Sequence, residues 1–339
     1  MLLAASVGSY LVTRPLHDEL LGEQAFNGLQ MAPRDEAITL ARSRKGSVLL
    51  VLAIDREGVS AVDLTASGLS ASDGLDAYRQ LGLTGLQEHY AMAGGRFSWA
   101  ELGAPVARHV AHVAAGANYR AHADEVGLEG EPFLFPKLSR ATGWNEDVIV
   151  GKRLDYEVEL CALLLDNHSN DQPARLGYLL CGDFTDRWTL IRHIDLGEDM
   201  GRTGFPAAKG GESRLPVGPL LVIPYEDDFY EQIELKLFVN DRLRQKALAG
   251  QMIWTPNEIL SRTLADCESP YFLHQENITI APCHEIPAGT LFLTGTPEGV
   301  TFHLANLWNP WVYLREGDVV TSFGTYLGYT RNTVHTPAP

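Results

Sequence analysis

The segment Leu154–Leu165, with the sequence LDYEVELCALLL, alternates apolar and acidic residues and then continues as an unbroken apolar run. Side chains of a β-strand alternate between its two faces, so Glu157 and Glu159 are expected on one face, about 7 Å apart. Carboxylates that face together beside a buried strand repel each other unless a positive group lies between them. A divalent cation with oxygen ligands would meet that need. The alternative is an edge strand with a solvated acidic face.

The length and charge of the chain narrow the class of protein. Its 339 residues, 45% of them hydrophobic, are enough for one large domain or two unequal ones. A formal net charge of −16 argues against nucleic acid or an anionic membrane as the main partner. A small anionic substrate held by a local cation remains compatible with this charge.

Cysteine usage and the N-terminal segment bear on the cellular compartment. The four cysteines, Cys161, Cys181, Cys267 and Cys283, form no CxxC pair, and the first two lie in apolar runs, where a thiol behaves as a small hydrophobe. This pattern favours a reducing compartment. The apolar segment Met1–Val12 is short and lacks a preceding basic residue and a cleavage site, so it does not predict a signal peptide. No apolar run is long enough to span a bilayer, and we expect a soluble, cytoplasmic protein.

Changes in composition divide the chain into three regions. Residues 1–35 form an extension with a short helix over His17–Leu29, residues 36–104 a small β module with a linker, and residues 105–339 the remaining domain. The strands predicted in the module are Glu36–Ala41, Gly46–Asp55 and Gly58–Asp63, because they are rich in β-branched residues and bounded by charged turns.

The third region predicts more strands than helices. A strand is expected over Arg108–Ala115, and a hairpin over Glu234–Gln245 with its turn at Asn240–Asp241. A helix is expected over Thr255–Asp266, opened by a capping box, and the final strands lie within Gly317–Gly328. The predicted class is therefore α+β and strand-rich.

Two pairs of polar residues suggest chemistry. His122 and Glu125 are three residues apart in a helical segment, so they share one face, and Glu125 could orient the imidazole for water activation. Asp183 closes an apolar run, and Arg187 would pair with it on a helical face or bind a carboxylate bidentately. The alternatives are an exposed polar helix for the first pair and a turn-capping role for Asp183.

Two loops could hold an anion. Lys209 lies among glycine and alanine residues, and Thr296 belongs to a GTPEGV turn whose backbone amides could bind a ligand oxygen. This turn lacks the lysine and helix spacing of a phosphate-binding loop. His109 and His112 have ligand-like spacing, but nothing completes a zinc set around them, and no GxSxG nucleophile motif occurs.

Taken in order, several motifs resemble the fumarylacetoacetate hydrolase (FAH) family over about Pro105–Gly328. They are GANYRAHADE, FPK, DYEVEL, GDFTDR, Lys209, VNDRLRQ and LTGTPEGV. The β-rich segment Glu36–Ala66 is similar to the small N-terminal module of that family. The resemblance implies an FAH-type mixed β-sandwich roll, a homodimer, and a site that holds Mg²⁺ or Mn²⁺, with Ca²⁺ as a further candidate.

The resemblance also assigns roles to individual residues. It implies Glu157, Glu159 and Asp183 as metal ligands, His122 with Glu125 as the water-activating pair, Lys209 as a catalytic cation, and Arg187, Thr296 and Lys137 as substrate-binding residues, with Lys137 reaching the site from a mobile segment.

Three departures from the family pattern concern the substrate. Trp188 replaces a second acid after Arg187, Leu190 replaces a glutamine that binds substrate, and the loop Arg192–Ala208 is rich in charges. These changes leave the three acids intact and favour a ligand that is larger or more apolar than the usual small acylpyruvate.

The implied activity is metal-dependent hydrolysis of a carbon–carbon bond in a 1,3-diketo acid similar to an acylpyruvate or fumarylacetoacetate. The same metal site would also serve decarboxylation of a β-keto acid, dehydration of a 2-keto-3-deoxy sugar acid, or isomerisation. A non-catalytic binding module is the third alternative, and it would bind no divalent ion tightly.

Overall fold

The computed structural model of the protein describes residues 2–13, 17, 19–106, 112–169 and 174–337. The α-helices are α1 Leu2–Thr13, α2 Glu23–Asn27, α3 Gly74–Glu88, α4 Arg120–Val126, α5 Arg187–His193, α6 Phe205–Ala208 and α7 Pro256–Ala265. The strands are β1 Ala37–Arg42, β2 Val48–Asp55, β3 Gly58–Asp63, β4 Gly95–Ser98, β5 His112–Gly116, β6 Phe133–Pro136, β7 Ala141–Thr142, β8 Val148–Ile149, β9 Leu154–Asp155, β10 Val158–Leu164, β11 Leu176–Gly182, β12 Thr185–Asp186, β13 Leu215–Pro216, β14 Leu220–Pro224, β15 Glu234–Val239, β16 Arg242–Leu248, β17 Tyr271–Leu273, β18 Glu276–Ile278, β19 Leu291–Leu293, β20 Val319–Gly324 and β21 Gly328–His335. The strand-rich α+β class is confirmed.

Within the described ranges, the largest sheet has ten strands in the order β4-β3-β2-β1-β14-β11-β10-β19-β5-β6. The three strands predicted in the N-terminal module are β1, β2 and β3, and this part of the sheet joins the rest where β1 runs antiparallel to β14, with Ala37 opposite Pro224. The predicted strand Arg108–Ala115 is described from His112 onward as β5, and residues 107–111 lie outside the described residues. The predicted domain boundaries stay a prediction.

A second sheet has the order β16-β15-β20-β21-β8. The predicted hairpin is confirmed as β15 and β16, and its turn residues Asn240 and Asp241 have φ values of 48° and 66°, which asparagine and aspartate tolerate. Leu235 and Leu237 of β15 and Val320 of β20 belong to the same hydrophobic core as β10 and β11. The two sheets therefore pack against each other, and a second, smaller cluster with Val51 of β2 and Phe238 of β15 also joins them.

The acidic strand predicted over Leu154–Leu165 is interrupted. Its first two residues form β9, which pairs with β12, and a new strand begins at Val158 as β10. β10 lies between β11 and β19 and is buried along its whole length, so the alternative of a solvated edge strand is wrong. The break at Tyr156–Glu157 was not visible in the alternating pattern, because it follows from the pairing of each part with a different strand.

The four cysteines form two disulfides, Cys161–Cys181 and Cys267–Cys283, so the expectation of free thiols is wrong. Cys161 lies on β10, and Cys181 lies on β11 two positions from the residue opposite it. Such diagonal neighbours are within reach of each other across an antiparallel pair, although 20 residues separate them in sequence. The argument for a reducing compartment therefore loses its basis.

The N-terminal extension contains a helix that the sequence did not predict. In α1, the Ser6 hydroxyl donates a 3.0 Å hydrogen bond to Asn309, and the Ser9 hydroxyl donates one of 3.0 Å to Asn306. The short helix expected over His17–Leu29 covers only the five residues of α2. Among the described residues, no helix has the length and apolar character required to cross a membrane.

Asn118 fixes three segments next to the predicted site. Its fully buried side chain accepts a hydrogen bond of 2.7 Å from the Trp254 amide and donates to the carbonyls of Trp254 (3.0 Å) and Thr294 (2.8 Å). These bonds connect the turn after β5, the segment before α7 and the end of β19. The capping box predicted for α7 is confirmed by reciprocal bonds between Thr255 and Glu258.

We expect Asn118→Ala to lower the free energy of unfolding by about 3 kcal/mol, because three buried backbone groups lose their partners. The matched control is Asn257→Ala, an exposed position of α7, which should change stability by about 0.5 kcal/mol or less. Urea denaturation measures both. Equal effects of the two substitutions would contradict the structural role of Asn118.

Candidate active site

The three predicted metal ligands come together at the end of the β10–β11 pair. Glu157 directly precedes β10, Glu159 lies within it, and Asp183 directly follows β11. The amide of Asp183 donates a 3.0 Å hydrogen bond to the carbonyl of Glu157, which sets these residues opposite each other. One carboxylate oxygen from each residue lies within 4.8 Å of the others, and all three side chains are buried.

Two buried lysines neutralise part of this acidic cluster. Lys209, which follows α6, donates hydrogen bonds to Glu157 and, at 2.6 Å, to Asp183. The Lys137 ammonium lies 2.5 Å from Asp183 Oδ1 and donates to the backbone carbonyls of Lys209 and Arg214. Burial lowers the pKa of Lys137 to about 8, whereas for Lys209 the charges of Asp183 and Glu157 outweigh burial and raise the pKa.

Lys137 therefore lies deeper than the sequence predicted. It follows β6, is fully buried, and makes its contacts with Asp183 and backbone carbonyls. It was expected to reach the site from a mobile segment, and a fully bonded position at the end of a sheet strand does not fit that description. Its assignment as a substrate-binding residue stays a prediction.

Arg187 has different partners from the one that sequence spacing suggested. The segment Thr185–Asp186 is a strand, and α5 begins only at Arg187, so Asp183 and Arg187 do not share a helix face. The guanidinium instead donates to Asp155 at 2.9 Å and to Glu157 at 2.5 Å. Burial opposes the charge of Arg187, but these two carboxylates outweigh it and raise the pKa.

Asp155 is a structural member of the site that sequence reasoning did not select. Its carboxylate accepts hydrogen bonds from Arg187 and from the amides of Thr301 and Phe302, at 2.9 and 3.1 Å. It is fully buried. Its position in the acidic alternation next to Glu157 and Glu159 was the available signal, but its role as the anchor of the 301–302 loop required the fold.

The predicted His122–Glu125 pair is formed on α4. Nδ1 of His122 lies 3.2 Å from Glu125, which also accepts hydrogen bonds from the Gly299 amide and from His303 at 3.0 Å. Burial raises the pKa of Glu125, but the bonds from His122 and His303 outweigh it and lower the pKa overall. His303 was not predicted, because it lies 178 residues from Glu125 in sequence and no local spacing connects them.

Thr296 is held in place by the second sheet. Its hydroxyl donates a 3.0 Å hydrogen bond to the carbonyl of Val158 and accepts one of 2.8 Å from Gln245 of β16. The Gln245 side chain also accepts from the Val158 amide at 3.0 Å. Because the Thr296 side chain is already bonded on both sides, its proposed contact with substrate stays a prediction.

A cavity of about 160 Å³ opens beside the acidic cluster. The polar residues that line it are His122, Glu157, Glu159, Arg187, Lys209 and Thr296. The larger part of its lining is apolar and consists of Val126, Leu128, Phe133, Phe135, Leu190, Ile191, Ile194, Met200, Phe205 and Phe302, with Ala115, Gly116 and Ala117. Trp188 is not among the lining residues, and its ring lies 4.8 Å from the Arg153 guanidinium.

The acidic cluster fits a divalent cation that prefers oxygen ligands. Burial and the charge of Asp183 raise the pKa of Glu159 well above 4.5. Burial acts in the same direction on Asp183, but Lys137 and Lys209 outweigh it and lower the pKa of this carboxyl. Oδ1 of Asp183 is buried and paired with the Lys137 ammonium at 2.5 Å, whereas Glu159 forms no ion pair with a described residue and accepts a bond from the Gly295 amide. A bound cation would compensate the repulsion between Glu159 and Asp183.

We expect Glu159→Gln to lower the affinity for Mn²⁺ at least about tenfold, because it removes one charged ligand. The metal-free variant should be as stable as the natural chain or more stable, because glutamine can accept the Gly295 amide bond without repelling Asp183. Calorimetric titration and thermal unfolding measure the two effects, with exposed Glu129→Gln as the control. Unchanged Mn²⁺ affinity would contradict the assignment of Glu159 as a ligand.

The raised pKa of Glu159 also predicts a pH dependence for the metal-free protein. A carboxyl with a raised pKa in the folded state binds its proton more tightly there than in the unfolded chain. Its contribution to stability is complete below pH 4.5 and is lost as the pH rises through the raised value. In denaturation experiments with EDTA, we therefore expect the free energy of unfolding of Glu159→Gln to exceed that of the natural chain by an amount that grows as the pH rises through this window. A stability difference that does not change with pH would contradict the raised pKa of Glu159 as its cause.

Comparison with known proteins identifies the family. The family model described as fumarylacetoacetate (FAA) hydrolase C-terminal matches residues 111–335. A 2,4-didehydro-3-deoxy-L-rhamnonate hydrolase from Sphingomonas sp. SKA58 is 30% identical over 235 residues, which are 66% of this chain and 72% of that protein. An oxaloacetate tautomerase from Bacillus subtilis is 26% identical over 219 residues, which are 60% of this chain and 63% of that protein.

The fold is also similar to solved structures. A maleylpyruvate hydrolase from Sphingobium sp. SYK-6, in complex with manganese(II) and pyruvate, superposes with a TM-score of 0.58 at 20% identity and covers 88% of this chain and 100% of that one. At this identity the similarity concerns the fold, and it confirms the predicted FAH-type architecture. From the matched family model and the 30% identical relative, it follows that the chain belongs to the fumarylacetoacetate hydrolase family.

Proposed function

We propose that this protein is a divalent-metal-dependent hydrolase that cleaves the carbon–carbon bond between the acyl and pyruvate parts of an acylpyruvate. The observation that carries the proposal is one cavity with both an oxygen-only acidic cluster and a buried histidine–glutamate pair. Hydrolase relatives support the reaction class, and the structural neighbour that binds manganese and pyruvate supports the cofactor and the product.

Glu157, Glu159 and Asp183 would hold the Mg²⁺ or Mn²⁺ ion. The buried network contains four carboxylates, those of Asp155 and these three residues, against three cations, Lys137, Arg187 and Lys209. With every group charged, it carries one net negative charge, and a divalent ion would convert this to one net positive charge. Such a site attracts a keto-acid anion. When bound, the ion supplies Lewis-acid polarisation of a carbonyl and stabilisation of negative charge on the pyruvate fragment.

The histidine–glutamate pair would activate water. Because the ionised Glu125 can only accept, His122 presents Nδ1–H to it, and Nε2 remains free to take a proton from water. The lowered pKa of Glu125 keeps its charge available to stabilise the imidazolium that forms. The Gly299 and His303 bonds hold Glu125 in the orientation that this role requires.

The reaction balances without a further reagent. The water oxygen bonds to the acyl carbonyl carbon, and the bond from that carbon to the methylene group breaks. The electron pair stays on the methylene carbon, which takes up a proton, and the products are a carboxylic acid and pyruvate. Lys209 and Arg187 line the cavity and would face the substrate carboxylate, each fixed by its buried acidic partners.

A keto–enol tautomerase is the second candidate. The oxaloacetate tautomerase relative supports it, and the His122–Glu125 pair could transfer a proton at carbon without adding water. The two candidates differ in product, because the hydrolase releases pyruvate from acetylpyruvate and the tautomerase does not.

We expect His122→Ala to lower kcat for acetylpyruvate hydrolysis about 10²- to 10⁴-fold while Mn²⁺ affinity is unchanged, because the imidazole acts on water and not on the ion. Pyruvate release coupled to lactate dehydrogenase measures kcat, and calorimetry measures binding. The matched control is exposed His193→Ala. Full activity of His122→Ala, or pyruvate release that resists EDTA, would overturn the mechanism.

Oligomeric state and location are separate proposals. The homodimer implied by the family resemblance stays a prediction that light scattering tests, and the cytoplasmic location stays a prediction that fractionation tests.

A further inference from the structure

The cavity beside the acidic cluster has two chemically different parts. Among its polar residues, Glu157 contacts Arg187 and Lys209 in the buried ion network, and His122 is bonded to Glu125. The remaining walls are aliphatic and aromatic side chains, together with alanine and glycine. The head of a keto acid would occupy the polar part, so the other end of the substrate would contact the apolar part.

Helix α5 supplies both parts from one face. Arg187 begins the helix, Leu190 and Ile191 follow at spacings of three and four residues on the same face, and Ile194 directly follows the helix. Arg187 contacts Asp155 and Glu157, while the three aliphatic residues line the apolar part of the cavity. Leu190, one turn after Arg187, lines the cavity and offers no hydrogen-bonding group to a ligand.

Three phenylalanines form another part of the apolar wall. The ring centroids of Phe133 and Phe205 are 4.9 Å apart, and those of Phe135 and Phe205 are 5.3 Å apart. A Cβ atom on Gly116 would lie 2.3 Å from the Phe133 ring, so only glycine at this position leaves room for the ring. These three rings therefore form a continuous packed apolar surface.

No cation in the described part of the lining is available to a second acidic group. Arg187 and Lys209 are bound to buried acids and, in the proposed mechanism, face the carboxylate of the keto-acid head. Arg202, two residues after Met200, makes a bidentate pair with Asp266 at 2.7 and 2.8 Å, and its guanidinium lies 4.4 Å from the Tyr271 ring. A carboxylate at the far end of a substrate would lose its hydration without gaining a partner, which is unfavourable.

We propose that the acyl group of the substrate is short, uncharged and apolar, branched aliphatic or phenyl-sized, and that it packs against Leu190, Ile194, Phe133, Met200 and Phe205. This inference rests on the proposed hydrolase function and names its substrate class. The cavity of about 160 Å³ has to hold the keto-acid head as well as the acyl group, so the part of the acyl group that it encloses is compact. A second carboxylate or a hydroxylated chain does not match these walls.

The test compares two substrates of equal shape and different charge, with Mn²⁺ present. 4-Methylpentanoylpyruvate carries an isopropyl group where succinylpyruvate carries a carboxylate, and acetylpyruvate serves as the reference without a tail. We expect kcat/KM for the branched substrate to exceed that for succinylpyruvate at least about 100-fold, because only the charged tail is buried without a partner. Equal values, or a preference for succinylpyruvate, would overturn the proposed tail class.

The outcomes separate this inference from the proposed function. Pyruvate released from acetylpyruvate, together with equal rates for the isosteric pair, would overturn the tail class and leave the hydrolase standing. Absence of pyruvate from all three substrates would overturn the hydrolase. In that case, calorimetric binding of 4-methylpentanoate and succinate still tests the apolar wall, and tighter binding of succinate would overturn it.

A charge placed in the wall gives a second readout. We expect Met200→Lys to raise kcat/KM for succinylpyruvate, because the lysine supplies the missing cation. The ratio of kcat/KM for the branched substrate to that for succinylpyruvate should fall at least about tenfold. Met200→Leu, which keeps the wall apolar, should leave the preference unchanged. If Met200 only supported the fold, Met200→Lys would lower kcat/KM for both substrates together. An unchanged ratio of the two kcat/KM values would contradict the assignment of Met200 to the wall.

Discussion

The buried ion network is the interaction on which the site depends. Glu157 contacts Arg187 and Lys209, and Asp183 contacts Lys209 and Lys137, so Lys209 links the two carboxylates. These residues come from the β10–β11 pair, the start of α5 and the segments after β6 and α6. Burying so many charges is tolerated only when each has a partner, and removal of one typically costs about 3–5 kcal/mol. The same contacts therefore stabilise the fold and hold the reactive groups in place.

The two sheets cooperate to fix the site. Gln245 belongs to the second sheet, yet its side chain bonds the Val158 amide of the first sheet and the Thr296 hydroxyl. Asp155 holds the amides of Thr301 and Phe302, and Glu125 holds that of Gly299. The 295–303 segment is thus bound from several sides, which places His303 and Thr296 without any regular secondary structure of their own.

The division of the cavity follows from this arrangement. In the described part of the chain, the ionised groups of the cavity collect where the β10–β11 pair ends, because the acids beside these strands meet Arg187 of α5 and Lys209, which follows α6. The apolar lining comes from several segments, among them β6 and α5. Helix α5 contributes to both parts, because Arg187 belongs to the ion network and Leu190 lines the apolar part.

The sequence by itself determined the strand-rich class, the three acids and the His122–Glu125 pair, because each depends on local spacing and on an ordered set of motifs. It also determined the hairpin at Asn240–Asp241 and the capping box of α7, which are local as well. Only the tertiary structure decided the partners of Arg187 and the depth of Lys137. It likewise decided the contact between His303 and Glu125 and the pairing of the cysteines. Each of these depends on strand register or on contacts between residues far apart in the chain, which no local pattern encodes.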